Sequence, residues 1–535
     1  MLGARAVFGG AIGESTRVRS PTPPVEPPAG GQAHLVATGS LVQQAAQVTG
    51  LLAMFAVLTV LARKLSLEEL GVYGLLASIA GYLLVIQNAA ASAAVRNMAA
   101  AEGSEARDAA FSTAVVIYVL AGLAVGLLIA LLGIGLSAVV DLSPEVESQA
   151  QLGAVLLGAV VALGWPVTVY RDAMRARQLF VRSAMIDMAA MAVYAALVLG
   201  TAFAGASLAV LICVSGTIPL LIGVGAAIVA YVRRLPFRFR PALVTRAEAG
   251  AFARFAWYVS LTEVASTLVY ALDRVILGVF KSAATVGLYE GPVRAHNVLR
   301  SLNAAVLVTV LPTASKYFGE GDDRRLKELL ARGLRYTLAL VVPMAVTGMV
   351  LATPLLEAWL GPKFGAAGLT MAILMSYWLV NGCTSVIQGI VIAGEGASKI
   401  VPIAWSVAAA NIAVSLALVP WLGLEGVAIG TALPHFFAFP FLLRLARELV
   451  PVSGGELIRA AFLPAYSLAV ALAAALGAAQ LLLPLDSVVV VVAVALGGLL
   501  AYWLLFYAVW LEPHERQLVR QVAGGLSRVR RTPAA

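Results

Sequence analysis

Charged residues are scarce in this chain, and their scarcity excludes a water-soluble protein. Only 12% of the 535 residues are Asp, Glu, Lys or Arg, whereas 61% are hydrophobic and the mean hydropathy is +0.92. A soluble chain carries about 25% charged residues, because its surface must be covered with polar groups. The composition therefore indicates a polytopic integral membrane protein.

Cysteines and catalytic motifs are lacking as well. The two cysteines, Cys213 and Cys383, each lie inside an apolar segment and fit neither a metal cluster nor a disulfide framework. No HExxH, GxSxG or Walker A sequence occurs. The predicted outer loops are also too short for the outer domain that membrane glycosyltransferases, polymerases and ligases usually need. We therefore expect a protein that is not an enzyme and that holds no metal and no cofactor.

Fourteen apolar segments are long enough to cross a hydrocarbon core of about 30 Å as helices. They cover residues 36–62, 70–95, 110–140, 148–170, 183–204, 206–232, 252–280, 284–312, 333–360, 366–394, 400–423, 425–443, 460–484 and 487–511. Their length and their lack of alternation exclude barrel strands. The predicted fold is all-α, with 14 transmembrane helices.

The positive charges predict the orientation of these helices. The net charge of +9 does not indicate a nucleic-acid partner, because the cations form short clusters between apolar spans without interleaved aromatic residues. With a cytoplasmic N-terminus, 30 of the 37 Lys and Arg residues fall in inner segments and only 4 in outer loops. Loops rich in Lys and Arg stay in the cytoplasm, so we expect both termini there.

An internal repeat divides the chain. At an offset of 216, residues 61–74 (LARKLSLEELGVYG) align with residues 277–290 (LGVFKSAATVGLYE), so that Gly71 meets Gly287 and Tyr73 meets Tyr289. Each unit holds six spans, an even number, so both units enter the membrane from the same side. The two repeats are therefore parallel, and a substrate path is expected between them.

The repeat and the spans together predict six regions. They are a disordered cytoplasmic tail (1–34), an N-terminal six-helix bundle (35–232), a cytoplasmic linker (233–251), a C-terminal six-helix bundle (252–450), helices 13 and 14 (451–511) and a basic cytoplasmic tail (512–535). The first tail is rich in Pro and Gly and lacks the apolar core and cleavage site of a signal peptide.

Several short motifs in order resemble a known family. The first half carries residues 61–74 and then a small-residue span ending at Arg96. The second half carries Asp273-Arg274-x-Ile-Leu-Gly, then Val-Gly-Leu-Tyr over 286–289, then Leu-Pro-Thr-Ala-Ser over 311–315 before a basic segment. Over about residues 35–450 the chain resembles polysaccharide flippases of the Wzx type. These belong to the multidrug/oligosaccharidyl-lipid/polysaccharide exporter superfamily.

The resemblance implies a function. Members of this family move an undecaprenyl-pyrophosphate-linked oligosaccharide from the inner to the outer leaflet by alternating access, as in lipopolysaccharide O-antigen export. It also implies a cell inner-membrane location, contact with membrane lipids, and a polysaccharide polymerase and a chain-length regulator as partners. Two alternatives from the same superfamily stay open: a lipid II flippase, because of the extra pair of spans, and a cation-coupled multidrug exporter.

Ionisable and polar residues within the spans are the candidate substrate ligands, because a charged headgroup can cross the membrane core only through a polar cleft. Span 8 concentrates them, with Arg294, Asn297, Arg300 and Asn303 on adjoining faces of one helix. A guanidinium offers planar, permanently charged donors that suit a pyrophosphate. The alternatives are that Arg294 pairs with Glu290, one turn earlier, and that Arg300 reaches the cytoplasmic headgroups.

The repeat adds candidates in the first half. At the same offset, Asn303 falls on Gln87, and Glu263 of span 7 falls on Gln47 of span 1. Polar positions thus repeat along with the fold, as expected if both halves line one cleft, so Gln47 and Gln87 join the predicted substrate ligands.

Three residues of span 7 are candidates for coupling or gating. Glu263 lies about eleven residues into the span, where burial favours the protonated form of a carboxyl group. It can serve as a coupling carboxylate or form a permanent pair with a cation. The adjacent Asp273 and Arg274 lie near the predicted outer end and are expected to form a structural pair or an outer gate.

Single introduced cysteines and a membrane-impermeant reagent test the predicted topology on intact cells. Labelling is expected at three positions in outer segments: Ser143, Ala206 and Asp486. No labelling is expected at three positions in cytoplasmic segments: Thr245, Gly321 and Ser527. All six should react after permeabilisation, which is the control for access. Labelling of position 245 from outside would overturn the parallel six-plus-six repeat.

Overall fold

A computed structural model of the protein describes residues 31–517 and 520–521, and all side chains of these residues except those of 31–41, 43–44, 84, 258 and 261–271. Most of the two predicted tails therefore lies outside the described residues. Over the residues that are described, helices are the only regular secondary structure. The structure confirms the predicted all-α, polytopic class.

The first half is built from eight helices. They are α1 (Gly31–Lys64), α2 (Leu67–Ala100), α3 (Ser104–Ile134), α4 (Pro144–Val167), α5 (Val169–Ala176), α6 (Phe180–Phe203), α7 (Leu208–Ser215) and α8 (Ile218–Val232). Breaks divide two of the predicted spans, the fourth into α4 and α5 and the sixth into α7 and α8.

The second half also contains eight helices, although its breaks divide the ninth and tenth predicted spans. Its helices are α9 (Arg246–Phe280), α10 (Ala283–Glu320), α11 (Asp323–Val350), α12 (Ala352–Leu360), α13 (Gly368–Asn381), α14 (Thr384–Ala393), α15 (Ala397–Leu422) and α16 (Leu424–Leu449). Three helices follow it: α17 (Gly454–Leu457), α18 (Leu463–Leu482) and α19 (Val488–Val509).

Each of the fourteen predicted spans coincides with one helix or one broken pair, but their number stays a prediction. Among the described residues, 12 helices are long and apolar enough to cross a membrane, and the bent pair of α7 and α8 makes 13. The remaining predicted span corresponds to α9, where many side chains are not described.

Helix starts are set by capping residues, and two of these caps repeat along the chain. The Ser66 hydroxyl accepts the N–H of Glu69 at the start of α2, and Ser282 does the same for Thr285 at the start of α10, 216 positions later. Thr245 caps α9, which therefore begins at Arg246 rather than at 252. The segment between α8 and α9 is thus shorter than the predicted linker.

The two halves touch backbone to backbone where α2 crosses α10. A Cβ added at Gly71 would lie 1.7 Å from the carbonyl oxygen of Ala283, and one added at Gly287 would lie 2.1 Å from the carbonyl oxygen of Leu67. These four residues form two pairs at the 216 offset, so the contact is reciprocal, as a two-fold relation between parallel repeats requires. Only glycine allows this approach.

One face of the bundle, which we call the turn face, carries the α1–α2 and α9–α10 turns. There the halves are joined by Arg63, which donates to the carbonyl of Trp359 (3.2 Å), and by Lys363, which donates to the carbonyl of Leu65 (2.8 Å). The indole N–H of Trp359 also donates to the Thr59 hydroxyl (2.7 Å). These contacts close the turn face.

The opposite face, the linker face, carries residues 233–245 between the halves. Asp108 at the start of α3 accepts the backbone N–H of Arg238 (2.9 Å) and pairs with the guanidinium of Arg240 (3.3 Å). Ser112, one turn later, accepts the N–H of Arg240 (2.7 Å). Most of the linker is therefore held on the first half.

The C-terminal helices attach to the second half through α11. Trp503 of α19 donates to the carbonyl of Ala339 (3.0 Å), and a buried ion pair joins Arg335 to Glu515, which Tyr336 also donates to. Burial alone would raise the pKa of Glu515, but the hydrogen bond from Tyr336 and the charge of Arg335 hold that pKa below its usual range. Helices α18 and α19 therefore lie outside the two repeats and are attached to the second half.

The glycine contact can be tested with a single methyl group. Gly71→Ala and Gly287→Ala each force α2 and α10 apart, and overpacking of this kind typically costs about 1–3 kcal/mol. We expect both variants to lower the thermal midpoint of the purified protein. Gly81→Ala on α2 is the matched control, because nothing lies within 4 Å of its Cβ position. Equal midpoints for all three variants would show that the helices can separate without cost.

Candidate binding cavity

A cavity of about 1490 Å³ lies between the two halves. It begins beside Tyr73 and Glu290, below the glycine contact, and extends towards the linker face, where Ile400 and Val401 in the first turn of α15 line it. Facing sides of α2 and α10 form its two long walls. Among the described residues of α18 and α19, none lines it.

The charges along this cavity are unequal. Its described lining includes four arginines, Arg171, Arg274, Arg294 and Arg300, and one carboxylate, Glu290. Asn and Gln side chains fill much of the remaining polar surface. The cavity is therefore suited to an anionic ligand rather than a cationic one.

Glu290 sits between two of the arginines at the closed end, which we call the apex. One carboxylate oxygen accepts the Nε–H of Arg274 at 2.5 Å. The other accepts the Nη2–H of Arg274 at 3.4 Å and lies 3.9 Å from Nε of Arg294. The carboxylate also packs on Gly74, its own partner at the 216 offset, where a Cβ would lie 2.4 Å away. The closer partner of Glu290 is thus Arg274, not Arg294 one turn away.

Arg294 consequently carries charge that Glu290 does not balance. Its Nη1 lies 3.1 Å from the sulfur of Met54 across the cavity, a weak acceptor, and its Nε has no hydrogen-bond partner among the described residues. The side chain is 26% exposed, compared with 3% for Glu290. A guanidinium in this position can donate hydrogen bonds to the oxygens of a phosphate with little rearrangement.

The other predicted substrate ligands divide into two groups. Asn297, Arg300, Asn303 and Gln87 all line the cavity with Arg294. Gln47 does not: it is exposed on α1 and is absent from the described lining. Gln87 and Asn303, which are paired at the 216 offset, therefore line the same cavity. Gln47 is not part of its described lining.

The three predicted coupling residues also separate. Arg274 lines the apex, and its ion-pair partner is Glu290 rather than the adjacent Asp273. Asp273 is buried behind the apex, where it accepts the hydroxyls of Tyr289 (2.7 Å) and Thr431 (3.0 Å). Its second oxygen has no hydrogen-bond partner among the described residues. The side chain of Glu263 lies outside the described residues.

Sequence reasoning missed several lining residues. Arg171 follows span 4, where it could either attract an anionic headgroup or set the orientation of the span; its side chain lines the cavity 3.7 Å from Asp187. Thr168 and Thr384 also line it, and their separation of 216 could have identified them. Ser385, beside Thr384, carried no signal in the sequence. Over the described residues, no three His, Cys, Asp or Glu side chains gather as a metal site.

Comparison with known proteins adds a family relationship. A family described as "Polysaccharide biosynthesis protein" matches residues 60–367. The chain is 27% identical over 250 residues to the probable flippase AglR of Haloferax volcanii, which covers 45% of this chain and 51% of AglR. It is 28% identical over 131 residues to the uncharacterized membrane protein EpsK of Bacillus subtilis, 24% of this chain and 26% of EpsK. The chain thus spans about half or less of these curated relatives.

Solved structures share the fold. A lipid II flippase MurJ in an inward closed conformation superposes with a TM-score of 0.67 at 17% identity, covering 88% of this chain and 98% of that chain. An inward-facing multidrug transporter of the MATE family superposes with a TM-score of 0.60 at 15% identity, covering 77% of this chain and 99% of that chain. At these identities the similarity establishes a common architecture.

Proposed function

The chain belongs to the polysaccharide biosynthesis protein family, and on that premise we propose that it is a membrane flippase for an undecaprenyl-pyrophosphate-linked oligosaccharide. The pyrophosphate and glycan occupy the cavity while the isoprenoid tail remains in the lipid. The observation that carries this proposal is the excess positive charge at the apex, where one carboxylate faces two arginines. An anionic headgroup supplies the missing negative charge.

Movement by alternating access follows from the positions of the inter-half contacts. The turn face is closed by Arg63, Trp359 and Lys363, and the cavity extends from the apex towards the linker face. The predicted topology assigns the linker face to the cytoplasm, so the substrate binds from that side in the inner membrane. Separation of the turn-face contacts, with the halves rocking about the α2–α10 crossing, then exposes the cavity outside.

A lipid II flippase is the second candidate, and two observations favour it: the extra helices α18 and α19, and the fold shared with MurJ. Both candidate substrates carry a pyrophosphate, so the apex suits either and the glycan must distinguish them. A cation-coupled multidrug exporter is less well supported, because a cationic drug would meet four arginines and one carboxylate in the described part of the lining. Transport of purified lipid II and of an O-antigen precursor by the same proteoliposomes separates the two flippase assignments.

We propose that Asp273 couples transport to an ion gradient. Arg274 beside it is assigned as a gating residue, and Glu263 is a second candidate carboxylate on the same helix. Asp273 has no ion pair among the described residues, so its charge is free to be neutralised by a proton or another cation. Its hydrogen bonds to α10 and α16 carry such a change to two other helices of the second half.

Asp273→Asn should remove coupling while leaving the fold intact, because the amide oxygen can still accept the hydroxyls of Tyr289 and Thr431 but the side chain carries no charge that a cation could neutralise. In proteoliposomes we expect an imposed ion gradient to stimulate the wild type about 5-fold or more and the variant not at all. Asp172→Asn is the control for loss of a buried carboxylate, since Asp172 is equally buried and accepts the Tyr118 hydroxyl at 2.7 Å but is already paired with Arg171 at 3.8 Å. Equal stimulation of the wild type and Asp273→Asn contradicts the assignment.

Arg294→Gln tests the headgroup site directly. We expect it to weaken binding of a polyprenyl pyrophosphate about 10- to 100-fold, the loss of one charged hydrogen-bonding group, and to abolish surface polysaccharide at normal protein abundance. Arg294→Lys should keep part of the activity. Adding Glu290→Gln to Arg294→Gln should not restore it.

The double change Arg274→Gln with Glu290→Gln is the control for this experiment. It removes one charge of each sign and leaves Arg294 in place, so membrane abundance and some export should be retained, whereas Glu290→Gln alone leaves two unbalanced arginines. An Arg294→Gln variant with wild-type export would refute the headgroup assignment.

A further inference from the structure

Two spans are each interrupted for one or two residues at matching positions beside the cavity, although each continues as a single span. In the first half, Thr168 separates α4 from α5, and its hydroxyl donates to the carbonyl of Trp165 (2.6 Å). In the second half, residues 382–383 separate α13 from α14, and the Thr384 hydroxyl donates to the carbonyl of Asn381 (2.8 Å). Thr168 and Thr384 are 216 positions apart. The interruption of the helix is therefore part of the repeat.

A matching amide reaches each break from the central helix of the same half. Gln87 of α2 donates to the Thr168 hydroxyl (3.4 Å). Asn303 of α10 donates to the carbonyl of Asn381 (3.2 Å), and its own oxygen accepts the hydroxyl of Ser385. Each half thus presents an amide and a hydroxyl at the corresponding position of its repeat. Transporters built from two repeats place their ligand sites at the interface between the repeats, where these polar groups lie.

These residues form one set, which we call the amide–hydroxyl ring. Its members are Gln87, Thr168, Asn303, Asn381, Thr384 and Ser385, and all six line the cavity. Asn303 follows Arg294 by nine residues on α10, so the ring lies about 14 Å from the apex along the helix, at a rise of about 1.5 Å per residue. The ring and the apex are separate parts of one cavity.

The ring retains unused hydrogen-bonding capacity. A primary amide has two donors and two acceptor lone pairs. The hydrogen bonds of Gln87 use one donor, and those of Asn303 use one donor and one lone pair. Trp165 also lines the cavity, and its indole N–H, a buried group, has no hydrogen-bond partner among the described residues. Each wall therefore offers donors and acceptors together.

That combination matches sugar hydroxyls better than it matches phosphate. A hydroxyl is both a donor and an acceptor, so it can use both ends of an amide, whereas a phosphate diester accepts only. The ring itself bears no charge, although Arg171 and Arg300 border it. A phosphate would be held more strongly at the apex, where the positive charge is least balanced.

We infer that the amide–hydroxyl ring is a glycan subsite that binds neutral sugar residues of the substrate while the apex holds the pyrophosphate. This inference rests on the proposed function. Because the two subsites are about 14 Å apart, a glycan attached to the headgroup reaches the ring only when it extends from the apex towards the linker face. The ring then determines which glycan is carried, since polar groups built to bind hydroxyls penalise a ligand that leaves them unpaired.

The test compares two ligands on the purified full chain: a polyprenyl pyrophosphate without sugars, and the same carrier with a short neutral oligosaccharide. Gln87→Leu and Asn303→Leu should each weaken binding of the glycan-bearing carrier about tenfold, the loss of one or two hydrogen bonds. Binding of the bare carrier should stay within about twofold. Ser385→Ala, which removes one hydroxyl only, should give a smaller loss of the same selectivity and covers the case in which a leucine variant does not fold.

Gln149→Leu is the matched control, because the Gln149 amide caps Ala209 away from the cavity. Equal loss for both carriers, or no loss for either, would overturn the glycan subsite. Failure of the proposed function looks different. In that case Arg294→Gln leaves binding of both carriers unchanged while the ring variants still discriminate between them. A wild-type protein that binds neither carrier would refute both.

Discussion

The structure depends on one close approach, the contact of α2 with α10 at Gly71 and Gly287. With no side chain between them, the two backbones meet within van der Waals distance, and the reciprocal contacts with Leu67 and Ala283 hold the halves in a two-fold relation. The same crossing separates the closed turn face from the cavity. It also seats Glu290 against Gly74, so the charges of the apex are placed by it.

Charge balance in a nonpolar environment then determines what the cavity can accept. An unpaired charge within the membrane is costly, so the fold keeps its arginines at an interior cavity and gives Arg274 a close carboxylate partner. Arg294 shares that carboxylate at a longer distance. In the proposed function a pyrophosphate provides the second negative charge. The rest of the substrate, the glycan, is assigned to uncharged hydrogen-bonding groups further along α10. The charged part of the ligand thus contacts arginines, and the neutral part contacts amides and hydroxyls.

How much of the site could be predicted is clear from particular residues. The resemblance to polysaccharide flippases is confirmed by the family match. Helical periodicity predicted Arg294 and Asn303 on adjoining faces of span 8, and both line the cavity. The offset of 216 paired Asn303 with Gln87, which the structure brings to the same cavity. It also paired Gln47 with Glu263, and Gln47 is exposed on α1 and absent from the described lining.

The sequence by itself determined the helical class, the parallel repeat and the scarcity of charge, because hydropathy and internal similarity are local properties of the chain. Only the tertiary structure decided that Glu290 pairs more closely with Arg274 than with Arg294, although Arg294 is its neighbour on the helix. Spacing along α10 allows Glu290 to contact Arg294, but Arg274 of the adjacent α9 lies closer to Glu290. The sequence pattern does not specify how helices pack against one another. Because the packing pairs Glu290 with Arg274, Arg294 remains available to a ligand.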